Sequence, residues 1–233
     1  MANAEKTSLL LAEELKQQCK TVSLHRITVG ALCTACNLDR RTFYYHFRDI
    51  YDLSAWIYDS SIAKFLPDGS SPAGINRLDE ALRQIKEDFW FYRRALDDTS
   101  QNALGRHILR HNALTYVEAR KRFLGAEQLC EEDLFAIEYH CFGVLGMVRR
   151  WIFYDCAYAP EQLALRILSA MPDALRVLYV PAWEEAPALD GDEHFALKKV
   201  VFRKKQKIKL DFSEKYAIID RPMNGAVLWH GRR

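Results

Sequence analysis

Between residues 28 and 48 the chain gathers side chains that can bond a polyanion and read its surface: Thr28, Arg40, Arg41, Thr42, Tyr44, Tyr45, His46 and Arg48. A guanidinium can bond both acceptor atoms on the major-groove edge of guanine, so Arg40 and Arg41, with Thr42 beside them, are candidates for base recognition. The hydroxyls of Thr28, Tyr44 and Tyr45, the His46 imidazole and the Arg48 guanidinium suit sugar-phosphate contacts, which set register without reading sequence.

Other groups invite different chemistry. His107 and His111 are four residues apart and can share a helix face, and His140 could join them on a metal. The HILRH spacing lacks the glutamate of a metalloprotease motif, so no metal is expected. Cys33 and Cys36 form a C-x-x-C pair. No second ligand pair adjoins it, and no strand leads into an exposed helix start, so both thiols are expected to pack in the core. The chain has six cysteines, scattered through expected helices as reduced thiols would be. Tyr92, Tyr116, Tyr139 and His140 are the polar members of an aromatic-rich body and would orient a ligand in a pocket. No nucleophile-base set, phosphate loop or paired carboxylates appear at meaningful spacing, so the chain is not expected to be an enzyme and no cofactor is implied.

Positioning the first group takes two short helices and a tight turn. Thr28 can cap a helix carrying Val29, Leu32, Cys33 and Cys36. Asn37 tolerates the left-handed conformation that closes such a turn. Asp39 suits the start of the second helix, where its charge meets the positive end of the dipole. Phe43 and Phe47 lie four apart and can anchor that helix inward, leaving its basic face outward. Residues 8–20 read as a preceding helix through Leu11, Leu15 and Cys19.

The segment from Thr28 to Leu53 resembles the DNA-binding domain of the TetR family of transcriptional regulators. The matching positions are Thr28, Val29, Leu32, Cys36, Asn37, Leu38, Asp39, Thr42, Phe43, Tyr44, His46, Phe47 and Leu53. Three positions depart from the family pattern. Asn37 replaces the turn glycine, and Gly30 weakens the first motif helix by about 1 kcal/mol relative to Ala. Ile50 stands where a phosphate-contacting Lys is usual, leaving Arg48 as its substitute. The resemblance implies an all-α fold with a three-helix head, a helical-bundle body for ligand binding and dimerisation, and repression of a palindromic operator released by an effector. Phe91, Tyr92, Tyr139, Gly143, Gly146 and Trp151 further resemble a subgroup that includes regulators of dihydroxyacetone kinase operons. The alternative is a coactivator whose body binds a protein partner. A closed cavity would favour the small-molecule reading, and an exposed apolar groove the protein one.

The 233 residues carry 49% hydrophobic side chains and a formal charge of +2, so any basic face must come from local placement. From Lys16 to Arg48 the sole acid is Asp39, against six Lys and Arg. There is no run of eighteen apolar residues and no signal-peptide pattern, so no membrane partner and a cytoplasmic location are expected. Further helices are expected over 50–66, 75–96, 101–123, 132–154, 160–169 and 172–179, with 132–179 supplying a homodimer contact. Gly143 and Gly146 fall inside one of them and admit either close helix packing or room for a ligand. Residues 182–233 combine an acidic linker with a basic stretch and an Asn224-Gly225 hairpin signal, giving a small β-hairpin unit, a partner-binding arm or a disordered tail. The domains read as 1–50, 51–181 and 182–233.

Overall fold

Helix capping accounts for the order of elements in the head. In the computed structural model of the chain, residues 2–70, 75–98 and 103–179 are described, and all regular structure among them is helical. Helix α1 (Ala2–Gln18) packs against α2 (Val29–Ala35) and α4 (Ile50–Ser61), and α2 packs against α3 (Arg40–His46). Thr28 caps α2 by accepting the Ala31 N–H at 3.1 Å. Asn37 adopts φ 53°, the left-handed turn expected of it. Asp39 has the extended backbone of a cap residue at the start of α3, but its side chain makes no capping bond. Asp49 caps α4 through the Asp52 N–H at 2.8 Å, and Asp52 in turn accepts the Arg48 N–H at 3.0 Å. Asp52 thus bonds the N–H one residue before the cap and not that of Asp49 itself, a variant of the capping box that fixes where α4 leaves the head. Leu11, Leu15, Leu24, Leu32, Phe43, Phe47 and Leu53 close the head core.

The body continues with α5 (Ile75–Glu87), α6 (Phe89–Asp97), α7 (Leu104–Leu124), α8 (Glu131–Phe153), α9 (Pro160–Ala170) and the short α10 (Asp173–Arg176). α7 pairs with α8, and α5 with α9, while α4 and α6 contact α7. The single helix expected over 75–96 is two helices. The chain bends at Asp88 (φ −92°, ψ 30°), whose carboxylate takes Lys16 of α1 at 3.0 Å. The helix expected over 50–66 ends at Ser61 and gives way to a 3₁₀ turn. Gly125 ends α7 in a left-handed conformation (φ 63°), and Arg120 bonds Asp133 at 3.3 Å across that turn in a largely buried ion pair. The extension read over 182–233, with its Asn224-Gly225 hairpin signal, lies outside the described residues.

The outer face of α8 is apolar and exposed, with Phe135, Tyr139, Phe142 and Met147 along it. Gly143 and Gly146 lie on that same surface, where an added Cβ would meet nothing within 4 Å among the described residues. Neither close packing within the chain nor room for a ligand accounts for them. No helix among the described residues is long and apolar enough to cross a membrane.

Candidate nucleic-acid interface and the body cavity

Phe43 and Phe47 are buried beneath α3, their rings 5.8 Å apart, so the opposite side of the helix faces outward. Arg40, Arg41, Tyr44 and Tyr45 are exposed there, Tyr45 at 83% against 58% for Tyr44. Thr42 and His46 are half-buried. One His46 ring nitrogen lies 3.5 Å from the Ser8 hydroxyl on α1, so the imidazole helps seat α3 as well as facing its rim. The Thr28 side chain accepts its capping bond, leaving the hydroxyl proton for another acceptor.

Arg40 leans back across α2. A methyl group on Gly30 would fall 2.5 Å from its Nη2, so the missing side chain at Gly30 makes room for this guanidinium. The sequence shows Gly30 only as a weak helix residue. Arg41 takes part in no ion pair among the described residues, so its guanidinium is the less encumbered of the two. Arg48 is exposed but bonded to Asp52 at 3.1 Å, so a phosphate must compete with a carboxylate for it. Cys33 is buried and Cys36 half-buried, with the Cys36 thiol pointing at the Leu10 carbonyl (3.8 Å). Burial pushes both thiols above the usual range, which suits packing and not redox work.

In the body, a cavity of about 70 Å³ opens between α4, α5, α6, α7 and α8. Tyr92, Tyr116 and His140 line it, together with Tyr58, Asn112 and Tyr179. Tyr139 does not join them. It is one residue from His140 but points away, 65% exposed, with its ring stacked on Phe135. The helical period forces this, because neighbouring residues on α8 diverge by about 100°. Tyr58, Asn112 and Tyr179 were missed by sequence reasoning. Tyr58 sits on the helix expected over 50–66, outside the aromatic group read as pocket-lining, and Asn112 and Tyr179 carry no periodic mark.

The polar lining is mostly self-satisfied. Tyr116 and Tyr179 share a 2.6 Å hydroxyl contact, His140 Nε2 lies 3.3 Å from the Tyr116 hydroxyl, and Tyr58 donates to Asn112 at 2.7 Å. The fully buried Tyr92 hydroxyl makes no hydrogen bond among the described residues, although Ser61 lies beside it. Burial lowers the His140 pKa from 6.5 to about 4.

That depression has a stability consequence. Above pH 6.5 His140 is neutral in both folded and unfolded chains. As pH falls from 6.5 toward 4, the unfolded chain takes up the proton and the folded chain does not. Stability is therefore lost across that window, by up to about 3 kcal/mol. In urea unfolding at pH 7 and pH 4.5, His140→Gln is expected to lose markedly less stability than the parent. An equal loss in both would contradict the burial of a neutral imidazole.

No protein-family profile matches the chain. It is 28% identical over 89 residues to the HTH-type dhaKLM operon transcriptional activator DhaS of Lactococcus lactis subsp. lactis (strain IL1403). That match takes in 38% of this chain and 48% of the relative, so it spans about half the relative's length. Among solved structures, the dihydroxyacetone kinase operon activator DhaS superposes with a TM-score of 0.55 at 19% identity, covering 75% of this chain and 98% of that one. A TetR-family transcriptional regulator from Streptomyces coelicolor gives 0.55 at 11% identity, covering 86% and 98%. NalD, the secondary repressor of the MexAB-OprM multidrug efflux pump in Pseudomonas aeruginosa, gives 0.50 at 13% identity, covering 78% and 100%. All are regulators of transcription, none an enzyme, and the fold they share with this chain is that of the TetR family.

Proposed function

We propose that this chain, built on the TetR-type fold, is a sequence-specific DNA-binding regulator of transcription. The observation that carries the reading is α3: a helix pinned by Phe43 and Phe47 that turns Arg40, Arg41, Tyr44 and Tyr45 to solvent. Such a helix can enter a major groove, with Arg41 reading base edges and the phenols touching phosphates. Thr28, Thr42 and His46 border the same face, and Arg48 adds charge at its end once released from Asp52. The head would be residues 1–50, the body 51–181 and the extension 182–233, working in the cytoplasm.

Two copies would act together. The apolar α8 face, with Gly143 and Gly146 open upon it, suits contact with the same face of a second copy, because glycine permits close backbone approach. The heads would then meet two half-sites of a palindromic operator, about 34 Å or a little more apart. Control would come through the body. Tyr58 belongs to α4, which leaves the head, and also lines the cavity. A compact effector bonding the unpartnered Tyr92 hydroxyl and displacing Tyr58 or Asn112 would tilt α4 and change the head spacing.

Duplex binding followed by fluorescence anisotropy tests the reading. Affinity is expected to fall steeply with salt, since phosphate contacts release counterions. Tyr45→Phe is expected to weaken all duplexes alike, because a lost phosphate contact carries no sequence information. A Tyr45→Phe protein that discriminates differently among duplexes would contradict that assignment.

A further inference from the structure

Apart from α3 and the cavity, the fold brings a carboxylate and two imidazoles together between α4 and α7. Oδ1 of Asp59 lies 2.7 Å from Nε2 of His107 and 3.2 Å from Nδ1 of His111. One donor atom from each residue lies within 4.8 Å of the other two, and no other trio of His, Cys, Asp or Glu does so among the described residues. Four-residue spacing puts both histidines on one face of α7, and α4 packs against α7 with Asp59 near its end. The Tyr58 ring stands edge-on to both imidazoles, with centroids 6.3 and 6.1 Å away, and its hydroxyl is tied to Asn112. The rings are thus held by packing as well as by Asp59.

Nitrogen and oxygen donors bind first-row divalent ions at roughly 2.0–2.2 Å, which places neighbouring donors about 3 Å apart. The two spacings to Asp59 already have that value. The side chains are 31%, 31% and 38% exposed, so an ion can enter and water can complete its coordination. Arg48, Arg106 and Arg110 line the adjoining cleft; Arg48 is paired with Asp52, so Arg106 and Arg110 oppose a cation there and Asp49 offsets them in part. The sequence pairs His107 and His111 with His140, but that ring faces the cavity. The third donor comes from a helix 48 residues before His107.

We propose that Asp59, His107 and His111 bind a divalent transition-metal ion of the zinc class, which fastens α4 to α7. Because α4 leads out of the head, a filled site would hold the head in one orientation. That consequence rests on the DNA-binding reading, and the site itself does not.

The test uses the full chain after chelator treatment. Cobalt(II) titration is expected to give visible ligand-field bands that saturate at one ion per chain. Zinc at about a hundred times its Kd is expected to raise Tm by about 5–10 °C. Asp59→Asn and His111→Gln are each expected to weaken binding more than about 100-fold, beyond the loss usual for an outer-shell residue, while metal-free helicity is unchanged. An absent cobalt spectrum, or affinity unaltered in both variants, would overturn the site. Duplex affinity is measured in parallel with and without zinc. Metal binding that depends on Asp59 and His111 in a protein that binds no duplex supports the site and removes only its regulatory consequence.

Discussion

Arg41→Ala is expected to weaken binding to the preferred operator by about 1–3 kcal/mol per head, hence about 2–6 kcal/mol for two heads, or roughly thirty-fold to twenty-thousand-fold. Arg41 stands on the outward side of a helix fixed from below, exposed and without an ion pair among the described residues. Removing it costs no core packing, so the folded state should be unaffected and the loss should appear wholly in binding. A bidentate guanidinium-base contact also implies relaxed preference at one operator position. Anisotropy with the preferred duplex and its single-base variants measures both effects. If Arg41→Ala keeps the parent's ranking of those duplexes, Arg41 does not read bases.

Phe43→Ala should act by the opposite route. Its ring is fully buried between the short helices of the head, packed edge-on against Tyr44 and beside Phe47. Truncating a buried Phe costs about 3–5 kcal/mol, a large part of what holds any small domain together. The buried body residues Trp151, Tyr92 and Phe91 lie in the same continuous core but far along the chain from the short head helices that Phe43 joins. Thermal unfolding of Phe43→Ala is therefore expected to show an early transition from the head ahead of the body, with duplex binding lost before the body melts. One unfolding step at the parent's Tm would mean that Phe43 is not the head's anchor.

Much of the head is legible in the sequence because its determinants are local. Thr28 caps three residues ahead, Asn37 supplies a positive φ, and the spacing of Phe43 and Phe47 fixes which side of α3 faces outward. These signals act within a turn or two of helix, so no partner needs to be known. The body is less legible where tertiary contacts decide. Asp88 breaks an otherwise continuous amphipathic run where its carboxylate takes Lys16, some seventy residues earlier. Tyr139 and His140 share a composition signal but part company on the helix, one to solvent and one to the cavity. Asp59 joins His107 and His111 only because α4 crosses α7. Gly30 reads as a helix defect until the Arg40 guanidinium is seen resting over it.

The outward-facing α3 is tested most directly by selection from a pool of random duplexes with the purified full chain at moderate salt. The expected result is enrichment of one sequence together with its inverted copy, with half-site centres about one helical turn or a little more apart. Recovery of the pool without enrichment would contradict DNA reading by this helix.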